Sequence, residues 1–134
     1  MTGAPPLISE MSRPFWDGLA AREIRIQRCD DCHGWVFYPR AFCPACTDRS
    51  LTWTPVTGTA TLYSWTVARV PVAKAFAHLD QPILAVVELA NSVRLPTTLV
   101  DVAPEAVRIG VSLDPVFDSA TYEGITLLRF RPAR

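Results

Sequence analysis

The sequence predicts a mainly β protein: a short N-terminal helix and a four-cysteine zinc ribbon, followed by a five-stranded barrel of the OB type. Three observations lead there. All four cysteines fall in one stretch as two C-x-x-C pairs, Cys29 with Cys32 and Cys43 with Cys46. From Gly58 onward, β-branched and aromatic runs alternate with Gly, Pro and Asn turn signals. Ahead of the cysteines, one brief segment repeats its apolar residues at helical spacing.

Composition narrows the classes. A 134-residue chain that is 49% hydrophobic can bury roughly two-thirds of its surface around a core. Thirteen basic and thirteen acidic residues give a formal charge of zero, which argues against a nucleic-acid backbone or an anionic membrane as partner. No apolar run is long enough to span a bilayer. The opening MTGAPPLISEMS has no basic head followed by an apolar run, so a reducing cytoplasm is expected.

Residues 1–11 have no consistent period and carry Pro5 and Pro6, which predicts a mobile or loosely docked tail. Residues 12–57 form the helix and ribbon, and residues 58–134 the barrel. Ser12 can cap the helix and Pro14 suits its first turn, while Phe15, Trp16 and Leu19 give it one apolar face. That face either packs on the ribbon or meets a partner protein. Glu23 to Arg28 alternates as a strand into the first knuckle, Trp35 to Tyr38 is the return strand before Pro39, and Leu51 with Trp53 closes the ribbon before Pro55.

Two residues between cysteines force a tight turn that brings two thiolates to one ion. Pro44 pre-sets the turn in CPAC, and Asp30 and Asp31 favour it in CDDC through side-chain bonds to the backbone. A pair of disulfides is the competing use of clustered cysteines, and it suits a secreted domain. Iron in a rubredoxin-type site is the rival ion to zinc. Four thiolates leave no open coordination position, so the metal is expected to be structural, and His33 to be a turn residue and not a ligand.

In the barrel, Thr59 to Val70 is a long strand with Leu62, Ser64, Thr66 and Ala68 on one face and Tyr63, Trp65, Val67 and Arg69 on the other. A loop bracketed by Pro71 and Pro82 follows. Ile83 to Leu89 and Val93 to Val102 are strands joined by a turn in which Asn91 tolerates the left-handed conformation. One helical turn, Pro104 to Val107, precedes strands Val111 to Phe117 and Ile125 to Phe130. Five strands with a helical turn between the third and fourth are the count of an OB-type Greek-key barrel, though the count alone admits other five-stranded barrels.

PFWDGLAAREIRIQRCDDCHGWVFYPRAFCPAC, then LTWTPVTGTATLYSWTV, then PILAVVELANSVRLPTTLVDVAPEAVRIGVSLDPVF lie in order across residues 12–132. In that order they resemble the acyl-CoA-associated family that joins a rubredoxin-like zinc ribbon to an OB-fold. Members of that family commonly carry glycine after the second cysteine and in the turn after the VEL strand, where this chain has His33 and Asn91. The resemblance implies a non-catalytic subunit with a structural zinc, in a heteromeric complex with a thiolase-like enzyme: a thiolase, an acyltransferase or a lipid-transfer-protein-type aldolase. A hot-dog-fold enoyl-CoA hydratase is the alternative companion. It also implies that acyl-CoA is a ligand shared with that partner, in a channel this chain completes.

The residues agree with such a division of labour. There is no Ser-His-Asp set, no phosphate-cradling glycine loop and no H-E-x-x-H. A stand-alone enzyme would lack its acid, base and nucleophile. Arg40, Arg69 and Lys74 can meet coenzyme A phosphates, Phe76 and His78 share the loop with Lys74, and Phe15, Trp16 and Leu19 form the candidate partner face. A single-stranded nucleic-acid binder is the remaining class, with Tyr63 and Trp65 as stacking platforms, and the absence of a basic stripe weighs against it.

Overall fold

The computed structural model describes residues 4–70 and 81–134. One helix, α1 (Arg13–Ala20), leads into a three-stranded antiparallel ribbon sheet in the order β2-β1-β3: β1 is Ile24–Cys29, β2 Trp35–Val36 and β3 Leu51–Val56. Among the described residues five further strands follow: β4 (Ala60–Val67), β5 (Ile83–Leu89), β6 (Arg94–Leu99), β7 (Ser112–Tyr122) and β8 (Ile125–Pro132). They close into a barrel in the order β4-β5-β6-β8-β7, with β7 returning to β4 at Leu113↔Ala60. A 3₁₀ turn, Pro104–Ala106, lies between β6 and β7, the place the sequence assigns to it. No helix among the described residues is long and apolar enough to cross a membrane.

α1 joins the two parts. It packs on β1 on one side and on β8 and β7 on the other. Leu19, at 0% exposure, lies with Ile24 and Ile26 of β1 in the same core as Leu62, Leu113 and Phe130 of the barrel. The helical pattern placed Leu19 on the candidate partner face; instead its whole side chain is spent inside the molecule. Phe15 and Trp16 remain half-buried. Gly18 is required here, because a Cβ would lie 2.9 Å from both the Arg25 side chain and the Glu23 carbonyl. Ser12 precedes the helix but does not cap it with its side chain. Its hydroxyl instead accepts from the Ser9 amide at 3.1 Å, and the Ser12 amide donates back to Ser9 Oγ at 3.1 Å, which folds the incoming tail. That tail touches the barrel where Tyr122 donates its hydroxyl to the Ala4 carbonyl (3.2 Å).

The inward face of β4 departs from simple alternation. A β-bulge between Leu62 and Ser64 shifts the register against β5. Ala60 and Leu62 point in before it, and Trp65 and Val67 pack on the core after it. Tyr63 stays outside at 49% exposure, under the Arg94 guanidinium 3.9 Å from its ring centre. Tyr63 and Trp65 thus lie on opposite faces, not on the one face where simple alternation puts them.

Two turns also differ from the sequence reading. After β5 the left-handed residue is Ser92 (φ 69°), while Asn91 accepts the Val93 amide through its side chain at 3.2 Å. β7 runs five residues beyond Phe117 before turning at Gly124 (φ 76°) into β8. Gly58 is fixed by close approach: a Cβ there would lie 2.5 Å from Pro115 Cγ on β7.

The barrel closes along β6 and β8, its one parallel seam, where the backbone pairs only at Leu99↔Phe130 and through the Val100 amide on the Phe130 carbonyl (2.8 Å). That sparse ladder tolerates Pro96, which has no amide to give. Side chains supply the rest. Thr97 donates to the Leu128 carbonyl (2.8 Å), and Arg129 donates to Thr98 Oγ1 (2.5 Å) and to the Asp118 carboxylate (2.8 Å).

Candidate metal centre

The two C-x-x-C turns are built alike. In the first, Cys29 donates its amide to the Gly34 carbonyl (2.9 Å) and His33 donates to the Cys29 carbonyl (3.0 Å). In the second, Cys43 donates to Asp48 (2.8 Å) and Thr47 to Cys43 (2.8 Å). Both turns end on a left-handed residue directly after the second cysteine: His33 at φ 62° and Thr47 at φ 64°. The backbone alone thus shapes each knuckle before any ion is considered. Asp30 does not brace the first turn as expected; its carboxylate accepts the Thr52 hydroxyl of β3 at 2.7 Å.

The four sulfurs lie within 4.8 Å of one another. Two contacts run between the knuckles: Cys29 to Cys46 at 3.5 Å and Cys32 to Cys43 at 3.6 Å. Zinc–sulfur bonds of ~2.3 Å in a tetrahedron place sulfurs about 3.8 Å apart, so the cluster has the size of a tetrahedral site. All four cysteines are free thiols, so the disulfide alternative is not realised. Cys29 and Cys43 are buried, Cys46 is half-buried and Cys32 is exposed. Beneath them Val36 and Leu51 form a small apolar floor separate from the main core.

The thiols repel one another's ionisation. Amides of Cys46 and Ala45 hold the Cys43 thiol down to about 7. The Asp48 amide also favours a Cys46 thiolate, but the neighbouring Cys29 thiol, burial and the other two cysteines outweigh it and push Cys46 up to about 12. One anion forms readily and the next is resisted, a conflict a divalent cation at the centre removes. Cys29, Cys32, Cys43 and Cys46 would hold zinc with no position left for water or substrate, and so supply shape without chemistry. His33 is outside this set.

One organising side chain is invisible in the sequence. Gln27 looks like a solvent-facing residue of an alternating strand, yet it is buried, and its amide clamps the peptide of Arg40: the Arg40 N–H donates to Oε1 (2.8 Å) and Nε2 donates to the Arg40 carbonyl (2.9 Å). This capture draws the chain off the sheet, so β2 stops at Val36 and does not run to Tyr38. Nothing short of the tertiary structure distinguishes Gln27 from an exposed glutamine.

The other candidate residues are dispersed. Arg40 is exposed on the ribbon, its backbone fixed by Gln27. Arg69 follows β4 and donates to Gln81 Oε1 (3.1 Å) beside an open groove of about 420 Å³ that Trp65, Val67 and Pro104 also line. Lys74, Phe76 and His78 lie outside the described residues. Phe15 and Trp16 border an apolar cleft of about 250 Å³ between α1, β6 and β8, with Phe37, Leu95 and Leu128.

Comparison with known proteins gives matches over most of the chain. Residues 16–52 match the family described as "ChsH2, rubredoxin-like zinc ribbon domain", and residues 53–118 match "ChsH2, C-terminal OB-fold domain". The chain is 33% identical over 129 residues to the probable enoyl-CoA hydratase alpha subunit of Thermomonospora curvata, a match covering 96% of this chain and 39% of that protein. It is 30% identical over 99 residues to a DUF35 domain-containing scaffold protein of Methanocaldococcus jannaschii, covering 72% of this chain and 69% of that one. Among solved structures, a chain of the Ltp2-ChsH2(DUF35) aldolase superposes with a TM-score of 0.84 at 30% identity, covering 96% of this chain and 98% of that one.

Proposed function

The chain belongs to the ChsH2 family of zinc-ribbon and OB-fold proteins, and on that premise we propose that it is a non-catalytic subunit of a heteromeric acyl-CoA enzyme, docking on a thiolase-like partner. The observation that carries this reading is the nearly end-to-end likeness to a chain of the Ltp2-ChsH2(DUF35) aldolase. The site chemistry fits. The one metal-ligating cluster among the described residues is the closed set of four sulfurs, which leaves no coordination position for a substrate. In this reading the partner performs the reaction, and the barrel and ribbon complete its acyl-CoA channel or hold its active oligomer. Phe15 and Trp16 contribute to the docking face, and Arg40, Arg69, Lys74, Phe76 and His78 contact acyl-CoA or the partner. In this reading the protein works in a reducing cytoplasm, where thiols stay available as metal ligands.

Co-expression with a thiolase-like protein encoded nearby tests this. The two are expected to elute as one species, with activity that the partner alone lacks. Separate elution with full activity in the partner alone, or thioester turnover by this chain alone, overturns it. A second reading has its own support: the match to a hydratase alpha subunit, of which this chain spans 39%, favours a hot-dog-fold hydratase as companion. The same co-elution assay with that enzyme in place of the thiolase distinguishes the two.

A further inference from the structure

The zinc cluster is not equally protected on all sides. Cys32 is exposed, whereas Cys43, whose sulfur lies 3.6 Å away across the cluster, is buried. A thiolate that is accessible and has a second sulfur poised behind it is the arrangement of a peroxide-reactive site with a resolving cysteine. The remaining sulfurs are matched in the same sense, Cys29 facing Cys46 at 3.5 Å. Each knuckle has backbone hydrogen bonds of its own, so the two sulfurs of a turn are held in place while the sulfurs facing them across the cluster are within reach.

The geometry points to Cys32 as an oxidation site, at which peroxide replaces the zinc by two disulfides that both cross between the knuckles, Cys32 with Cys43 and Cys29 with Cys46. The Cys32 sulfur attacks one peroxide oxygen; the O–O bond breaks, hydroxide leaves and a sulfenic acid forms. The Cys43 thiolate then attacks the Cys32 sulfur, forming the S–S bond and expelling hydroxide. A second peroxide oxidises Cys29 and Cys46 in the same way. Four thiolates and two peroxides become two disulfides and four hydroxides, and the zinc, left without anionic ligands, is released. A thiol reductant with added zinc reverses the sequence.

Crossed linkage is uncommon for C-x-x-C turns, whose own two cysteines are closest in sequence, and that makes it decisive. Trypsin separates the knuckles, since Arg28, Arg40 and Arg49 place Cys29 and Cys32 on one peptide and Cys43 and Cys46 on another. The zinc-loaded full chain is treated with hydrogen peroxide, zinc release is followed with a chromophoric chelator, and the alkylated digest is read by tandem mass spectrometry. The expected result is loss of the whole zinc complement, with the two peptides joined to each other and fragments assigning Cys32 to Cys43. Two separate peptides, each oxidised within its own knuckle, would overturn the inference, as would joined peptides linking Cys32 to Cys46, or zinc retained under peroxide. Each outcome is independent of whether the chain has an enzyme partner.

Discussion

Thr47 and His33 occupy equivalent places in the two knuckles, and both hold a left-handed backbone that costs an L side chain roughly 1 kcal/mol. The strain is unequal, because histidine enters this region far more readily than a β-branched residue. Thr47→Gly is accordingly expected to raise stability by about 1 kcal/mol, and His33→Gly by less, in urea unfolding with zinc at saturation. An equal or reversed effect would mean that the Thr47 side chain makes a compensating interaction in solution. At His33 the left-handed backbone is held from both ends: its amide donates to the Cys29 carbonyl (3.0 Å) and its carbonyl accepts from Arg28 Nε (3.0 Å).

Among the elements, the parallel seam of the barrel depends on side chains. Burial alone would raise the Asp118 carboxyl, but the Thr121 hydroxyl, Arg129 and the Ala120 amide outweigh it and hold it down to about 2, against an ordinary 3.8. A carboxyl depressed on folding stabilises the protein above its unfolded value and loses that contribution as pH falls. The contribution of Asp118, which anchors Arg129 from β7, is on the order of 1–2 kcal/mol; it is therefore present above about pH 5, declines below 3.8 and is gone by about pH 2. Asp118→Asn should cost that amount at pH 7, and the difference between variant and wild type should shrink in acid. Measuring the difference cancels the loss of zinc that acid causes in both chains. Gly58→Ala should cost about 1–3 kcal/mol by thermal unfolding, because Pro115 on β7 stands where the methyl group must go. Elements of this kind show how far the sequence reaches. The knuckles, the five barrel strands and the 3₁₀ turn were legible because each is specified by neighbours along the chain. The bulge at Tyr63, the extension of β7 and the Gln27 clamp were not, because each is decided by a strand or loop distant in sequence.

At the scale of the whole molecule, ribbon and barrel share one core through α1, so they are expected to melt together. Cys43→Ser should lose zinc and the folded ribbon, since the closed site contributes folding free energy on the order of 10 kcal/mol. Because Ile24 and Ile26 of β1 are buried with Leu62 and Phe130, the barrel should be destabilised in the same variant. Calorimetry of the wild-type chain with zinc is expected to give one transition, and metal analysis with circular dichroism of Cys43→Ser to show both losses. Two well-separated transitions would mean that the halves are independent.

The wedge of α1 between ribbon and barrel also limits how the chain can be dissected. A fragment beginning at Gly58 would bare the hydrocarbon of β8 that Phe15, Trp16 and Leu19 now roof over, and a fragment ending there would leave the helix with one wall missing. Neither piece should remain dispersed at high concentration unless its newly uncovered leucines were exchanged for hydrophilic residues.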